Sequence, residues 1–183
     1  MIQSLLHVGM TVPDLAVGRE FYALFGLQPA VSGEDLVFRC EGLAQDQLRL
    51  MAGPKKKLGY LSLGTHAEGM RVLEKNLAQA GVHIARESPF NVPLSGIWFQ
   101  DPHGDWLNVQ VVEPAVSTQK AAAEINAPGN YRRIGTRACD LSSAQKRARP
   151  RRLGHVIKFT PDVDRSVAFY TQVLGLKVSD RAH

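Results

Sequence analysis

Apolar residues in this chain fall into short alternating runs and longer runs of helical period, and the two kinds recur in a set order. His7–Val12 (HVGMTV) and His155–Thr160 (HVIKFT) are brief runs with the β-branched enrichment of strands. Each is followed by Pro-Asp, at Pro13-Asp14 and Pro161-Asp162. Proline removes a ladder donor and ends the strand, while the aspartate is placed to cap the helix behind it. A middle stretch, LGYLSLGTHAEGMRVLEKNLAQAGVHI (58–84), follows the same plan. There Thr65-His66-Ala67-Glu68 has capping-box spacing, and Leu73, Leu77 and Ala80 recur at i, i+4 and i+7 to give one apolar stripe. Gly26, Gly81 and Gly175 stand where a helix needs a residue of positive φ to stop.

Strand patterns fill the rest of residues 1–113. They predict strands near Leu27–Ser32, Asp35–Cys40 and Gln47–Ala52, then near Val82–Arg86, Ser95–Gln100 and Trp106–Val112. The last two are joined by Asp101-Pro102-His103-Gly104-Asp105, in which proline presets φ and glycine supplies positive φ for a hairpin turn. Each full unit is thus βαβββ, and the fold class is α+β. The units are repeats in sequence as well as in plan. At an offset of 148, Leu5, His7, Val8, Pro13, Asp14, Phe21 and Tyr22 match Leu153, His155, Val156, Pro161, Asp162, Phe169 and Tyr170. After a one-residue insertion Gly26-Leu27 matches Gly175-Leu176, and Tyr60 of the middle copy takes the histidine's place. The expected organisation is an N-terminal domain of two modules (1–54 and 55–113), a basic interdomain linker (114–152) and the first strand and helix of an incomplete further domain (153–183).

Charge sharpens the reading of the linker. The chain carries +5 overall, but Tyr131–Arg152 holds eight basic residues against Asp140 alone, so this segment is +7 and the remainder −2. With one aromatic and no binding motif, the tract reads as a solvated connection or an arm on an acidic neighbour, and no nucleic-acid partner is expected. Arg133–Ala138 is the one short strand pattern within it. No apolar run reaches the roughly 18 residues of a membrane span. The N-terminus lacks the basic and apolar regions of an export signal. Two cysteines, Cys40 and Cys139, in no C-x-x-C arrangement exclude a disulfide framework and a cysteine-based zinc site, which favours a cytoplasmic setting.

A tandem βαβββ chain with a histidine in its first strand, then P-D, a helix containing F-Y and an ending G-L resembles the vicinal oxygen chelate superfamily. That superfamily includes glyoxalase I, the bleomycin-resistance proteins and the extradiol ring-cleaving dioxygenases. The turn DPHGD is similar to the D-P-x-G-N turn of such modules, and the resemblance covers residues 4–113 and 153–180. The arrangement is most similar to the two-domain extradiol dioxygenases of the catechol 2,3-dioxygenase and 2,3-dihydroxybiphenyl dioxygenase type. The resemblance implies paired modules forming a cupped mixed sheet, a metal-free N-terminal pair, and a C-terminal pair holding Fe(II) or Mn(II). It also implies a small catechol-like aromatic diol and O₂ as substrates. His155 matches the first metal-binding histidine, and a second histidine and a glutamate from the last module would complete a 2-His-1-carboxylate site. No residue here matches those two. The expectation is therefore a chain cut off after the opening of its catalytic domain, without stable metal and inactive by itself.

Other candidates have weaker chemistry. In the N-terminal pair His7 is a possible ligand and Tyr60 stands at the corresponding place, but Asn108 occupies the family's glutamate position. Gln47 and Arg49 are poor ligands for a divalent metal. His7 is expected to be a hydrogen-bonded strand histidine. His66 and His83 flank a helix, His103 sits in an exposed turn, and Asp180 and His183 fall in the wrong part of the module. Trp98, Phe99 and Trp106 could line a ligand cavity in the cupped sheet, but aromatics at such strand positions more often pack in the core, which is the reading favoured. Two alternatives stand beside the dioxygenase: a metal-independent small-molecule binder of the bleomycin-resistance type, and a homo-oligomer formed through an unpaired apolar edge.

Overall fold

The computed structural model describes residues 1–113 and 150–180. Seven strands form one mixed sheet. In chain order they are β1 (Ser4–Val12), β2 (Gln28–Ser32), β3 (Asp35–Arg39), β4 (Asp46–Ala52), β5 (Lys57–Thr65), β6 (Ile97–Gln100) and β7 (Trp106–Val111). Their order across the sheet is β2-β3-β4-β1-β5-β7-β6. Within each module the first strand lies parallel to the last, β1 beside β4 and β5 beside β7. The antiparallel β1–β5 pair joins the modules through the sheet's centre. The sequence repeat is thus a spatial repeat, with each module's opening strand innermost.

Side-chain alternation assigns the two faces. One carries Val8, Leu48, Leu50, Leu61, Leu63, Leu107 and Val109 and is covered by helices α1 (Leu15–Leu24) and α2 (Ala67–Gln79). The other carries His7, Arg49, Tyr60, Ser62, Trp98 and Asn108, all buried. The helix ends follow the local chemistry read from sequence. Asp14 Oδ1 accepts from the amides of Ala16 and Val17, and Gly26, Gly81 and Gly175 all have positive φ. The α2 cap differs. His66 is the N-cap and makes no side-chain cap bond, because Thr65 remains in β5 and donates its hydroxyl to the Met1 carbonyl at 2.7 Å. Glu68 pairs with Arg71 instead of closing a capping box.

Two predicted strands are absent among the described residues. Val82–Arg86 is reduced to a single bridge, Ala85 with Trp98. Beyond it the chain turns inward, and Phe90 and Val92 pack against Tyr60 and Trp98, with Pro89 and Pro93 unable to donate to a ladder. His155–Thr160 forms no ladder either. It keeps the period of an extended strand, Val156, Lys158 and Thr160 half-buried and His155, Ile157 and Phe159 exposed, yet no strand lies alongside. Its counterpart β1 is a strand because β4 and β5 flank it.

The third unit is not detached from the first two. Its helix α3 (Val163–Ala168) begins at the N-cap Asp162 and runs into a π-helical turn, Phe169–Val173. Phe169, Val173 and Leu174 join Leu61, Leu73, Phe99 and Leu107 in one core cluster. Asn76 of α2 donates to the Val173 carbonyl at 3.1 Å. Most of the basic linker, with Arg133–Ala138 and Cys139, and also His183, lie outside the described residues. No helix among the described residues is long and apolar enough to cross a membrane.

Candidate metal centre

The three equivalent first-strand positions, His7, Tyr60 and His155, have separate fates. β1 and β5 bring His7 and Tyr60 together across the sheet centre, with His7 Nε2 3.0 Å from Tyr60 Oη and the rings edge-on. His7 is 4% exposed. Burial, and secondarily the nearby Arg49 guanidinium, lower its pKa to about 4 against a smaller opposing pull from Asp46. Burial likewise pushes the Tyr60 phenol well above its ordinary value. A neutral imidazole bonded to a neutral phenol is a structural pair. This agrees with the sequence expectation for His7.

The neighbouring polar groups are also committed to the fold. Arg49, on β4, donates to Asp35 at 2.9 Å and to Ser32 at 3.1 Å, tying β4 to the β2–β3 hairpin. Asn108 accepts from Ser62 at 2.8 Å and from Gln110 at 2.9 Å, and its amide donates to the Ser95 carbonyl at 3.0 Å. With both ends of the side chain so engaged, the residue at the family's glutamate position acts as a clip between β5, β7 and the β6 entry. Among the described residues around His7, the Asp35 and Asp46 carboxylates are taken by Arg49 and Arg39, which leaves none grouped to hold a metal ion. Trp98 and Phe99 are fully buried, Trp98 on the polar face and Phe99 against the helices, as the core reading expected, while Trp106 is half-buried at the edge of the Tyr60–Trp98 cluster.

His155 differs from His7. It is exposed and borders a cleft of about 680 Å³ between the sheet and the third unit, beside Gln3, Ser4 and Lys158. Among the described residues no three His, Cys, Asp or Glu side chains are grouped to hold a metal ion. One imidazole among amide, hydroxyl and ammonium groups does not make a metal centre, so the described residues do not fit an iron or manganese ion by themselves.

Sequence reasoning missed the role of the β6–β7 turn. His103 is half-buried, not exposed, and its Nε2 lies 3.0 Å from Ser166 Oγ in the third unit. Asp101 is buried and bonds both Lys158 and Tyr170. Two acids in the Asp101–Asp105 turn and a lone lysine, Lys158, in the strand-like run His155–Thr160 were the trace of this in the sequence.

Fold, internal repeat and residue match agree on one class: the chain has the architecture of the glyoxalase, bleomycin-resistance and dioxygenase proteins, built from βαβββ units. Residues 152–183 match the family described as Glyoxalase/Bleomycin resistance protein/Dioxygenase superfamily. Over 185 residues the chain is 36% identical to Metapyrocatechase 2 of Cupriavidus necator, covering 99% of this chain and 55% of that protein. The chain thus spans about half the length of the curated relative it matches. Among solved structures, the Mn(II)-bound glyoxalase from Novosphingobium aromaticivorans aligns over 97% of this chain and 54% of its own, with TM-score 0.73 and 21% identity. BphC, a halotolerant catechol dioxygenase, aligns over 96% and 55%, with TM-score 0.68 and 22% identity. The 2,3-dioxygenase LapB from Pseudomonas sp. KL28 aligns over 95% and 59%, with TM-score 0.69 and 17% identity. These structural likenesses carry the fold.

Proposed function

We propose that this chain is part of an extradiol-type ring-cleaving dioxygenase, comprising the metal-free N-terminal pair and the opening of the metal-binding half. In the complete protein the substrates are a catechol-like diol and O₂. His155 supplies the first ligand of an Fe(II) or Mn(II) site whose other ligands lie outside the described residues. Residues 1–113 form the scaffold domain and 153–183 begin the catalytic one. When bound, the metal supplies the chemistry that brings diol and dioxygen together; what this chain contributes is one imidazole and the surface that holds it.

The observation that carries this reading is the contrast between His7 and His155. They occupy one position of one repeat, but His7 is consumed by Tyr60 while His155 stands open on a cleft in the unit that matches the superfamily. The metal-independent binder is disfavoured. Its cavity would use the polar face, where Tyr60 and Trp98 are fully buried beneath Phe90 and Val92.

The test is a chimera in which this chain is continued by the C-terminal part of the Cupriavidus relative. It should bind iron and form a yellow ring-fission product from catechol, and His155→Ala should abolish iron retention. The 183-residue chain alone should hold no stoichiometric iron. Equal iron retention without His155, or turnover by the chain alone, overturns the proposal.

A further inference from the structure

The β6–β7 turn has a shape explained by β-hairpin chemistry alone, but its side chains exceed what a hairpin needs. Asp101 Oδ1 holds the turn itself, accepting from the amides of His103 at 2.9 Å and Asp105 at 3.1 Å. Its other oxygen, Oδ2, is turned to the third unit, where it accepts from Lys158 Nζ and from Tyr170 Oη at 3.1 Å. Lys158 also reaches Asp105 Oδ2 at 2.7 Å. His103, Ser166 and Thr160 continue the contact, with Ser166 Oγ 3.0 Å from His103 Nε2 and 2.9 Å from Thr160 Oγ1. The Asp101 side chain is completely buried, and that of Lys158 is 15% exposed. Burial works against charge on both. Their mutual bond outweighs it, together with the His103 and Asp105 amides for Asp101 and the Asp105 carboxylate for Lys158, holding the Asp101 carboxyl below its ordinary value and Lys158 above its own. A buried pair of this kind adds little net stability, but removing one partner leaves the other charge buried and unpaired.

The extended segment 153–160 needs such a device. Strand register is ordinarily set by the neighbouring ladder, and a one-residue slip sends every side chain to the opposite face. This segment has no ladder among the described residues, so side chains and termini must set its register. Two contacts do so from different modules: Gln47 Oε1 accepts from the Leu153 amide, and the Asp101/Asp105 pair receives Lys158. With Lys158 held inward, residues of opposite parity are left exposed, and His155, at the rim of the cleft, is one of them.

We propose that the Asp101–Asp105 turn is a receptor for the third unit, and that Lys158 is a positioning residue fixing the register in which the segment presents His155. The docking itself stands on the geometry above; only the consequence for metal rests on the dioxygenase reading. The N-terminal pair thereby acquires a task, that of placing the first ligand strand of a neighbouring unit.

Amide hydrogen exchange on the 183-residue chain tests the docking without any metal. Lys158→Met and Asp101→Asn should each accelerate exchange of the Leu153 amide and of the helical amides of residues 166–176 by about tenfold or more, leaving β1 and β5 unchanged. Lys158→Arg, which keeps the charge between the two carboxylates, should restore protection. Unchanged exchange at Leu153 and in 166–176 overturns the proposal. So does equal acceleration in β1 and β5, or an arginine variant that behaves like the methionine one. In the chimera with His155 intact, Lys158→Met should raise iron dissociation about tenfold, with rescue by arginine. Local loosening with unaltered iron dissociation removes the positioning role. Loss of the dioxygenase reading would show separately, as iron retention indifferent to His155→Ala.

Discussion

His7 and Tyr60 show how one position in a repeat is spent twice. The two side chains are 53 residues apart in sequence and meet because β1 and β5 are antiparallel neighbours at the sheet centre. The pair has a pH signature. The pKa of His7 is about 4 when folded, against about 6.5 for an unfolded-chain histidine. Between those values the unfolded chain binds a proton that the native protein refuses, so stability is full above about pH 6.5 and is lost as pH falls toward 4. The gap corresponds to on the order of 3 kcal/mol. Urea midpoints from pH 8 to 4 should fall across that window, and His7→Gln, which cannot titrate, should flatten the decline; parallel curves for the two proteins would refute this assignment. Gly9 belongs to the same arrangement, because a Cβ there would lie 2.1 Å from the Tyr60 ring. The close approach of β1 to that ring is what requires glycine.

Helices α1 and α3 are copies by sequence and differ in setting. Both begin at a capping aspartate and end at a glycine of positive φ, so propensity and capping are shared. Their aromatic pair is used differently. Phe169 is 8% exposed and packs toward Phe99, with ring centroids 6.5 Å apart, whereas its counterpart Phe21 is 60% exposed. Phe169→Ala should therefore cost about 3–5 kcal/mol in chemical denaturation. Phe21→Ala should change stability by about 0.5 kcal/mol or less, as surface substitutions do. Similar losses at the two sites would mean that α1 is covered in solution. The π-helical turn after α3 is a further departure, with Thr171 Oγ1 donating to the Val167 carbonyl at 2.7 Å. The one-residue insertion of this copy relative to α1 falls in the same span and is its trace in the sequence.

For the molecule as a whole, the question is whether the third unit folds with the first two. Leu174 is fully buried in a cluster whose other members come mainly from the second unit. Leu174→Ala should lower stability by about 2–5 kcal/mol. The loss should appear in the fluorescence of Trp98 and Trp106, the chain's two tryptophans, both in the second unit. A tryptophan transition left in place by this substitution would show that the third unit unfolds separately. Coincident shifts in fluorescence and far-UV circular dichroism would identify a single cooperative unit.

The amino-acid order was sufficient for most features made by neighbours in the chain, the α2 cap and the π-helical turn after α3 being the exceptions. Pro-Asp stops and caps, glycines of positive φ, the Asp101–Asp105 turn and the period of each run are local energies, and the repeat multiplied them into a fold class. It also singled out His155 as a candidate ligand, because a motif is a local object. What needed the tertiary structure was every choice of partner. Val82–Arg86 and His155–Thr160 have strand sequences but not strand ladders, since a strand exists only where another chain segment offers its amides and carbonyls. Phe21 and Phe169 share a motif and not an environment, since burial depends on what else covers the site. The pairing of His7 with Tyr60 and the clasp of Lys158 by Asp101 join residues more than fifty positions apart. Their energies arise from desolvation and close approach, quantities that come into being only when the chain has folded.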